Sequence, residues 1–452
     1  MKELLGNPLI LLILAGLGIV YGLMIYNTVA KNEKVASTFE KIAIGIFIFT
    51  ISGATGVTVM PFTKFHPSVI HNAETKDITI ILHLAFYGSL LILLSPRLVS
   101  GGKNLVPAIM KFLATDPSLA LFLIWMSISA GWSDTPMITF RASLVYLEVT
   151  FVAIYLAKQY TWEELFAVWR WVNFFVLIWS LAKPNASVRA DMAGCWSGIL
   201  GHKNQFSFFM AQTAALWFVF GAYNPKKRLM AFVIGILALI GLQKGCSGAS
   251  RILTVILIAL WGSLSFLKKL PVQWAFVSVI LFMVLSICVG IVVLDNLEAI
   301  VVGKLNKDMT LTGRTLFWPQ IVDFINKRPL TGYGLAGFWQ PWRGLDNPAG
   351  PIIEPKSSFI PPHSHNGFLD LACDLGWGGL ALFIISFFVN VFKGVVYLTR
   401  DKLPYAGLPL FFLTYALMTN LTETGWFGTT SIWFWYIVVS VRTGLDTTSK
   451  NY

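Results

Sequence analysis

Uninterrupted apolar runs of roughly 16 to 23 residues recur from one end of this 452-residue chain to the other. Wound as a helix, such a run is about as long as the ~30 Å hydrocarbon core of a bilayer is thick. The runs predict helices over 8–26, 41–59, 78–95, 117–133, 138–157, 164–182 and 204–222. Further helices are predicted over 228–243, 250–267, 272–294, 377–397, 404–420 and 428–445. These are thirteen spans within an expected range of twelve to fourteen. Strands do not fit, because the runs are continuous and a membrane barrel needs apolar and polar residues to alternate. Only 12% of residues are charged, about half the share usual in soluble domains. The expected fold class is all-α, a polytopic integral membrane protein with one large external loop.

Basic residues orient the spans. Lys31, Lys34 and Lys41, then Arg97, Lys103 and Lys111, then Lys226, Lys227 and Arg228, Lys268 and Lys269, and Arg400 and Lys402 all fall on one side. That side is the cytoplasm. The net charge of +12 has its source there, so it points to anionic headgroups and membrane lipids rather than to nucleic acid. The loops 60–77, 134–137, 183–203, 244–249 and 295–376 then lie outside, with the N-terminus out and the C-terminus in. The run from Pro8 to Tyr26 lacks a basic flank and a small-residue cleavage site, so it reads as a retained helix. Cys195, Cys246, Cys288 and Cys373 show no paired spacing, and Cys288 sits inside an apolar run. Neither a disulfide framework nor a metal cage is expected from them.

Residues 1–452 read as a single membrane domain, and 295–376 as its large periplasmic loop carrying short helices. One such helix starts near Thr312, presents Leu316, Phe317, Ile321, Val322, Phe324 and Ile325 at helical spacing, and stops at Pro329. Gly332, Gly334 and Gly337 then read as a turn.

Chemistry concentrates on the outer side. Arg141, Lys183, Arg189, Lys203, Lys244, Arg251 and Arg314 run against the positive-inside bias. Each alone has a plain use, a long chain reaching to headgroups from a helix end. As a converging set they would hold a pyrophosphate by charge-assisted bonds. Small residues flank Arg251 in Ser247-Gly248-Ala249-Ser250-Arg251 and Arg314 in Leu311-Thr312-Gly313-Arg314-Thr315, which leaves room for a bulky headgroup. His202-Lys203-Asn204 opens a helix, either as a polar cap provided by Gly201 or Asn204 or with Lys203 on a phosphate. His363 and His365 form an H-x-H pair, open to three readings: metal ligand, loop filler, or general base near neutral pH. No Cys or carboxylate accompanies the pair at ligand spacing, which argues against metal. Glu148 lies within a span seven residues from Arg141, a spacing that favours a structural ion pair. Glu423, near Asn420 and Thr422, is placed to line the same outer cavity. No phosphate-binding loop for ATP and no D-x-D pair for a metal-bound nucleotide sugar occurs.

These residues carry a resemblance. His365-Asn366 is followed after nine residues by Gly376-Trp377-Gly378-Gly379 at the end of the loop. This resembles the superfamily of O-antigen ligases and bacterial polysaccharide polymerases, with Arg251 and Arg314 matching its two arginines. Gly201-His202-Lys203-Asn204 and Trp132-Ser133-Asp134 look like its exopolysaccharide-polymerase branch. The resemblance spans roughly residues 130–430. It implies a GT-C-like membrane glycosyltransferase of the bacterial inner membrane, needing no metal and no cofactor. The implied donor is an undecaprenyl-diphosphate-linked glycan, and the acceptor is a sugar hydroxyl on a lipid-linked oligosaccharide or on lipid A core. His365 would be the base, with Asn366 beside it, and Arg251 and Arg314, assisted by Lys203 or Arg189, would offset charge on the leaving diphosphate. Polymerase is the favoured reading and ligase the alternative. A transporter of the same lipid-linked glycan is a further rival, which should show internal repeats or paired broken helices.

Overall fold

In the computed structural model, described residues are 8–53, 95, 97–99, 105–186, 194–305, 311–352, 363–401, 403–425 and 430–449. They form α1 (Pro8–Lys31), α2 (Glu33–Ile51), α3 (Leu105–Thr115), α4 (Pro117–Ile128) and α5 (Pro136–Gln159). There follow α6 (Trp162–Ala182), α7 (Lys203–Tyr223), α8 (Arg228–Lys244), α9 (Gly248–Leu267) and α10 (Val272–Leu305). The last four are α11 (Leu311–Lys327), α12 (Gly367–Arg400), α13 (Leu408–Thr422) and α14 (Thr430–Ser449). No strand is found among the described residues. The protein is an all-α, polytopic membrane protein.

Twelve of the thirteen expected spans coincide with helices, and the run 78–95 lies almost wholly outside the described residues. Six described helices are long and apolar enough to cross a membrane: α5, α6, α7, α9, the Val272–Ile291 part of α10, and α12. The pair α3 and α4, extended to Gly131, qualifies as one further span but is bent by 101°. The expected helix over 117–133 matches α4 and the 3-10 turn Ser129–Gly131 after it, and the bend falls before it, at Asp116. Asp116 caps α4 through its side chain, accepting from Leu119 N at 3.0 Å, and Pro117 takes the first helical position, where no amide hydrogen is needed. Residues such as Val255, Trp274, Leu281 and Val289 turn outward, as a lipid-facing surface requires.

Helices extend into both ends of the 295–376 stretch. α10 continues to Leu305, and α12 begins at Gly367 rather than after Gly376. The expected start of the span at 377 falls directly after Gly376, whose φ of 70° and ψ of 179° break the helix there. A break orphans the carbonyls of the turn before it. The turn after α11 supplies partners: Tyr333 N donates to Cys373 O at 2.9 Å and Gly334 N to Asp374 O at 2.8 Å. Trp125 Nε1 donates to Leu375 O at 3.1 Å, and Trp377 N donates to Pro329 O at 2.7 Å. Trp132 Nε1 bonds Thr331 O at 2.9 Å and Asp134 pairs with Arg328 at 3.1 Å, so the Trp-Ser-Asp segment holds that same turn.

One cysteine expectation is overturned. Cys195 and Cys246 form a disulfide with Cα atoms 5.6 Å apart, although 51 residues separate them in sequence. The main-chain bond from Trp196 N to Lys244 O, 2.9 Å, brings the two loops together.

Candidate active site

A half-enclosed cavity of about 320 Å³ lies where the start of α7, the start of α12, the end of α13 and the start of α14 converge. Its polar walls are His202, Gln205, His363, His365, Asp370 and Glu423, and its inner walls include Trp169, Phe412 and Trp435.

His365 sits two residues before α12 in the left-handed region, with φ 56°. For a residue with a Cβ this costs energy unless neighbours impose it. Three contacts do so. His365 N donates to His363 Nδ1 at 3.1 Å, Asn366 N donates to Ser364 Oγ at 3.0 Å, and Ser364 Oγ donates to Asn366 O at 2.6 Å. Asn366 itself caps α12 by accepting from Phe368 N and Leu369 N at 3.0 and 3.3 Å.

The ring of His365 faces a carboxylate. Its Nδ1 lies 3.3 Å from Glu423 Oε2, and Glu423 Oε1 accepts from Asn204 Nδ2 at 2.6 Å. Against a carboxylate the imidazole hydrogen belongs on Nδ1, which leaves the lone pair on Nε2. Both side chains are mostly shielded, at 20% exposure for His365 and 14% for Glu423. Beside them, Thr424 Oγ1 lies 3.1 Å from His363 Nδ1 and also bonds Asp370. Asp370 further accepts from Trp339 Nε1 at 2.7 Å and Ser364 N at 3.0 Å.

The expected residues divide clearly. His363, His365 and Glu423 come together at the cavity, and Asn366 anchors the helix beneath them. Arg251 is exposed on the first turn of α9 and is not among the lining residues, nor is Lys203 in the first turn of α7. Arg189 and the side chain of Arg314 lie outside the described residues. Arg141 and Glu148 are both exposed on α5, and no ion pair between them is found among the described residues. The helix cap at α7 is His202, whose Nδ1 accepts from Asn204 N at 3.3 Å, not Gly201 or Asn204. The H-x-H pair does have a carboxylate beside it, supplied by Glu423 from 58 residues downstream.

Sequence reasoning missed Asp370, Asp374 and Thr424. Asp374 takes the amide of Ala336 at 2.9 Å and so holds the glycine turn against α12. The available signal was the D-x-x-x-D spacing, which puts Asp370 and Asp374 on one face directly after the histidines.

The O-Antigen ligase family model matches residues 230–384. That segment holds Arg251, Arg314, both histidines and Gly376. Over that segment the chain is similar to the O-antigen ligase and polysaccharide polymerase superfamily. Among curated proteins it is similar to the exopolysaccharide production protein ExoQ of Rhizobium meliloti (strain 1021). The two are 24% identical over 303 residues, an alignment covering 62% of this chain and 66%, just under two thirds, of that protein. Asn204 and Glu423 lie outside the matched family segment, so the carboxylate beside His365 and the amide that holds it both come from outside that segment.

Proposed function

We propose that this protein is a glycosyltransferase that polymerises a surface or exopolysaccharide on the periplasmic side of the bacterial inner membrane. A glycan passes from an undecaprenyl-diphosphate donor to a sugar hydroxyl of a lipid-linked acceptor. The chain of contacts from His365 to Glu423 to Asn204 in a half-enclosed cavity carries this reading. His365 Nε2 takes the proton of the acceptor hydroxyl as its oxygen attacks the anomeric carbon. The bond from that carbon to the diphosphate oxygen breaks, and the electron pair leaves with the diphosphate. Glu423 keeps the imidazole hydrogen on Nδ1 and offsets the charge the ring gains. Arg251 and Arg314, with Lys203 or Arg189, are assigned to the leaving diphosphate. The donor bond supplies the energy, so no ATP site is required. The match of residues 230–384 to the O-antigen ligase family and the likeness to an exopolysaccharide production protein support the reaction class and the choice of polymerase. The Cys195–Cys246 disulfide supports a site outside the cytoplasm, because such bonds persist in oxidising compartments.

The test is reconstitution of purified protein with lipid-linked oligosaccharide alone. Chain growth is expected, and His365→Ala should slow it by roughly 10²–10⁴-fold. Transfer only after lipid A core is added would identify a ligase. Undiminished chain growth with His365→Ala would remove the base assignment.

A further inference from the structure

His363, His365 and Glu423 each offer a ligand atom, and these atoms lie within 4.8 Å of one another. We infer that the three form a binding site for a divalent borderline metal of the Zn²⁺ class, and that occupancy switches off glycan transfer. Two imidazoles and one carboxylate, with a fourth position open to a cavity, are the donor set of an open zinc site.

The distances accommodate a metal ion as well as they do the hydrogen-bonded cluster of the metal-free site. His365 Nδ1 and Glu423 Oε2 stand 3.3 Å apart. Two ligands about 2.05 Å from one tetrahedral zinc are separated by about 3.3–3.4 Å, the spacing found here. The outer shell is also in place. Asn204 Nδ2 holds the other oxygen of Glu423 at 2.6 Å, and Thr424, itself bonded to Asp370, meets His363 Nδ1 at 3.1 Å. Partners of this kind orient ligands at metal sites. The two histidine rings lie with centroids 4.1 Å apart, close enough to serve one ion.

The consequence for transfer rests on the proposed function. A neutral imidazole bound to metal through Nδ1 carries its hydrogen on Nε2. His365 then presents a donor where the reaction needs a lone pair. The metal therefore competes with the Nδ1 proton and blocks the base.

The experiment uses the full-length, tag-free protein in detergent, titrated with Co²⁺ as a spectroscopic substitute for Zn²⁺. One equivalent should give the visible ligand-field band of a four-coordinate ion, and Zn²⁺ should displace it. Glu423→Gln and His363→Ala, each eluting as the wild type does on size exclusion, should lose the band. Asn204→Ala should weaken binding roughly 10–100-fold. With lipid-linked oligosaccharide, stoichiometric Zn²⁺ should stop chain growth and a chelator should restore it. No band with the wild type, or an equal band in both ligand variants, overturns the site and leaves the glycosyltransferase reading standing. A band that needs these residues, in a protein that never transfers glycan, upholds the site and removes that reading instead.

Discussion

At the residue scale, His365 depends on its neighbour two positions back. His363 Nδ1 accepts the amide of His365, the contact that an asparagine side chain makes in an Asx turn. His363→Asn should therefore keep most of the transfer rate, because Asn Oδ1 accepts at the same reach. His363→Ala should lower kcat about tenfold or more, with little change in KM, by releasing the left-handed backbone of His365. Equal losses in both variants would show that the imidazole itself contacts substrate. The role of His363 as a mere neighbour could be read from sequence only as one option among three. The φ of its partner makes it a positioning residue, and a backbone torsion is not visible in residue order.

At the element scale, the broken helix α12 is what joins the histidine loop to the membrane. The first glycine of the motif that signalled the superfamily, Gly376, has a physical reason. A Cβ there would lie 2.4 Å from Leu330 O, and its φ is positive. Gly376→Ala is expected to cost roughly 1–3 kcal/mol from the torsion alone, with a further loss as the turn after α11 is pushed away. A lowered melting temperature in detergent, together with reduced transfer, is the expected outcome. Gly379 shows the same logic inside the second half of the helix, where an added Cβ would meet the Leu375 side chain at 2.4 Å. The helix type and most of its extent were legible in the apolar run. The segment from Gly367 to Leu375 was not, because its acids hid a short helix in what read as loop.

Across the whole molecule, polar contacts inside the apolar body fix which helices meet. Asp116, fully buried at the bend between α3 and α4, accepts from Ser386 Oγ at 2.8 Å and Asn390 Nδ2 at 2.9 Å on α12. It also accepts from Ser440 Oγ at 3.3 Å on α14. Asp116→Ala leaves those donors facing a cavity and should destabilise the protein by about 3–5 kcal/mol. Thermal unfolding followed in detergent would show it, and an unchanged midpoint would mean the network contributes nothing net. The disulfide acts at the same scale. Closing a separation of 51 residues restricts the unfolded chain by up to about 4 kcal/mol in the chain-entropy model. Reduction, or Cys195→Ser with Cys246→Ser, should lower the melting temperature. Thiol alkylation of those two positions should occur only after reductant is added.

By itself, the sequence determined the helical membrane fold, nearly every helix and the likeness to the superfamily, and it singled out His365 as the candidate base. Those rest on local information: unbroken apolar length, turn residues, and a motif whose spacing lies within one segment. Only the tertiary structure decided what stands around that histidine. Glu423 is 58 residues away from it and Asn204 is 219 from Glu423, and Cys195 finds Cys246 across a span pair. Such partners are chosen by how helix ends pack, and packing is a property of the surfaces brought together, not of any stretch of chain read alone.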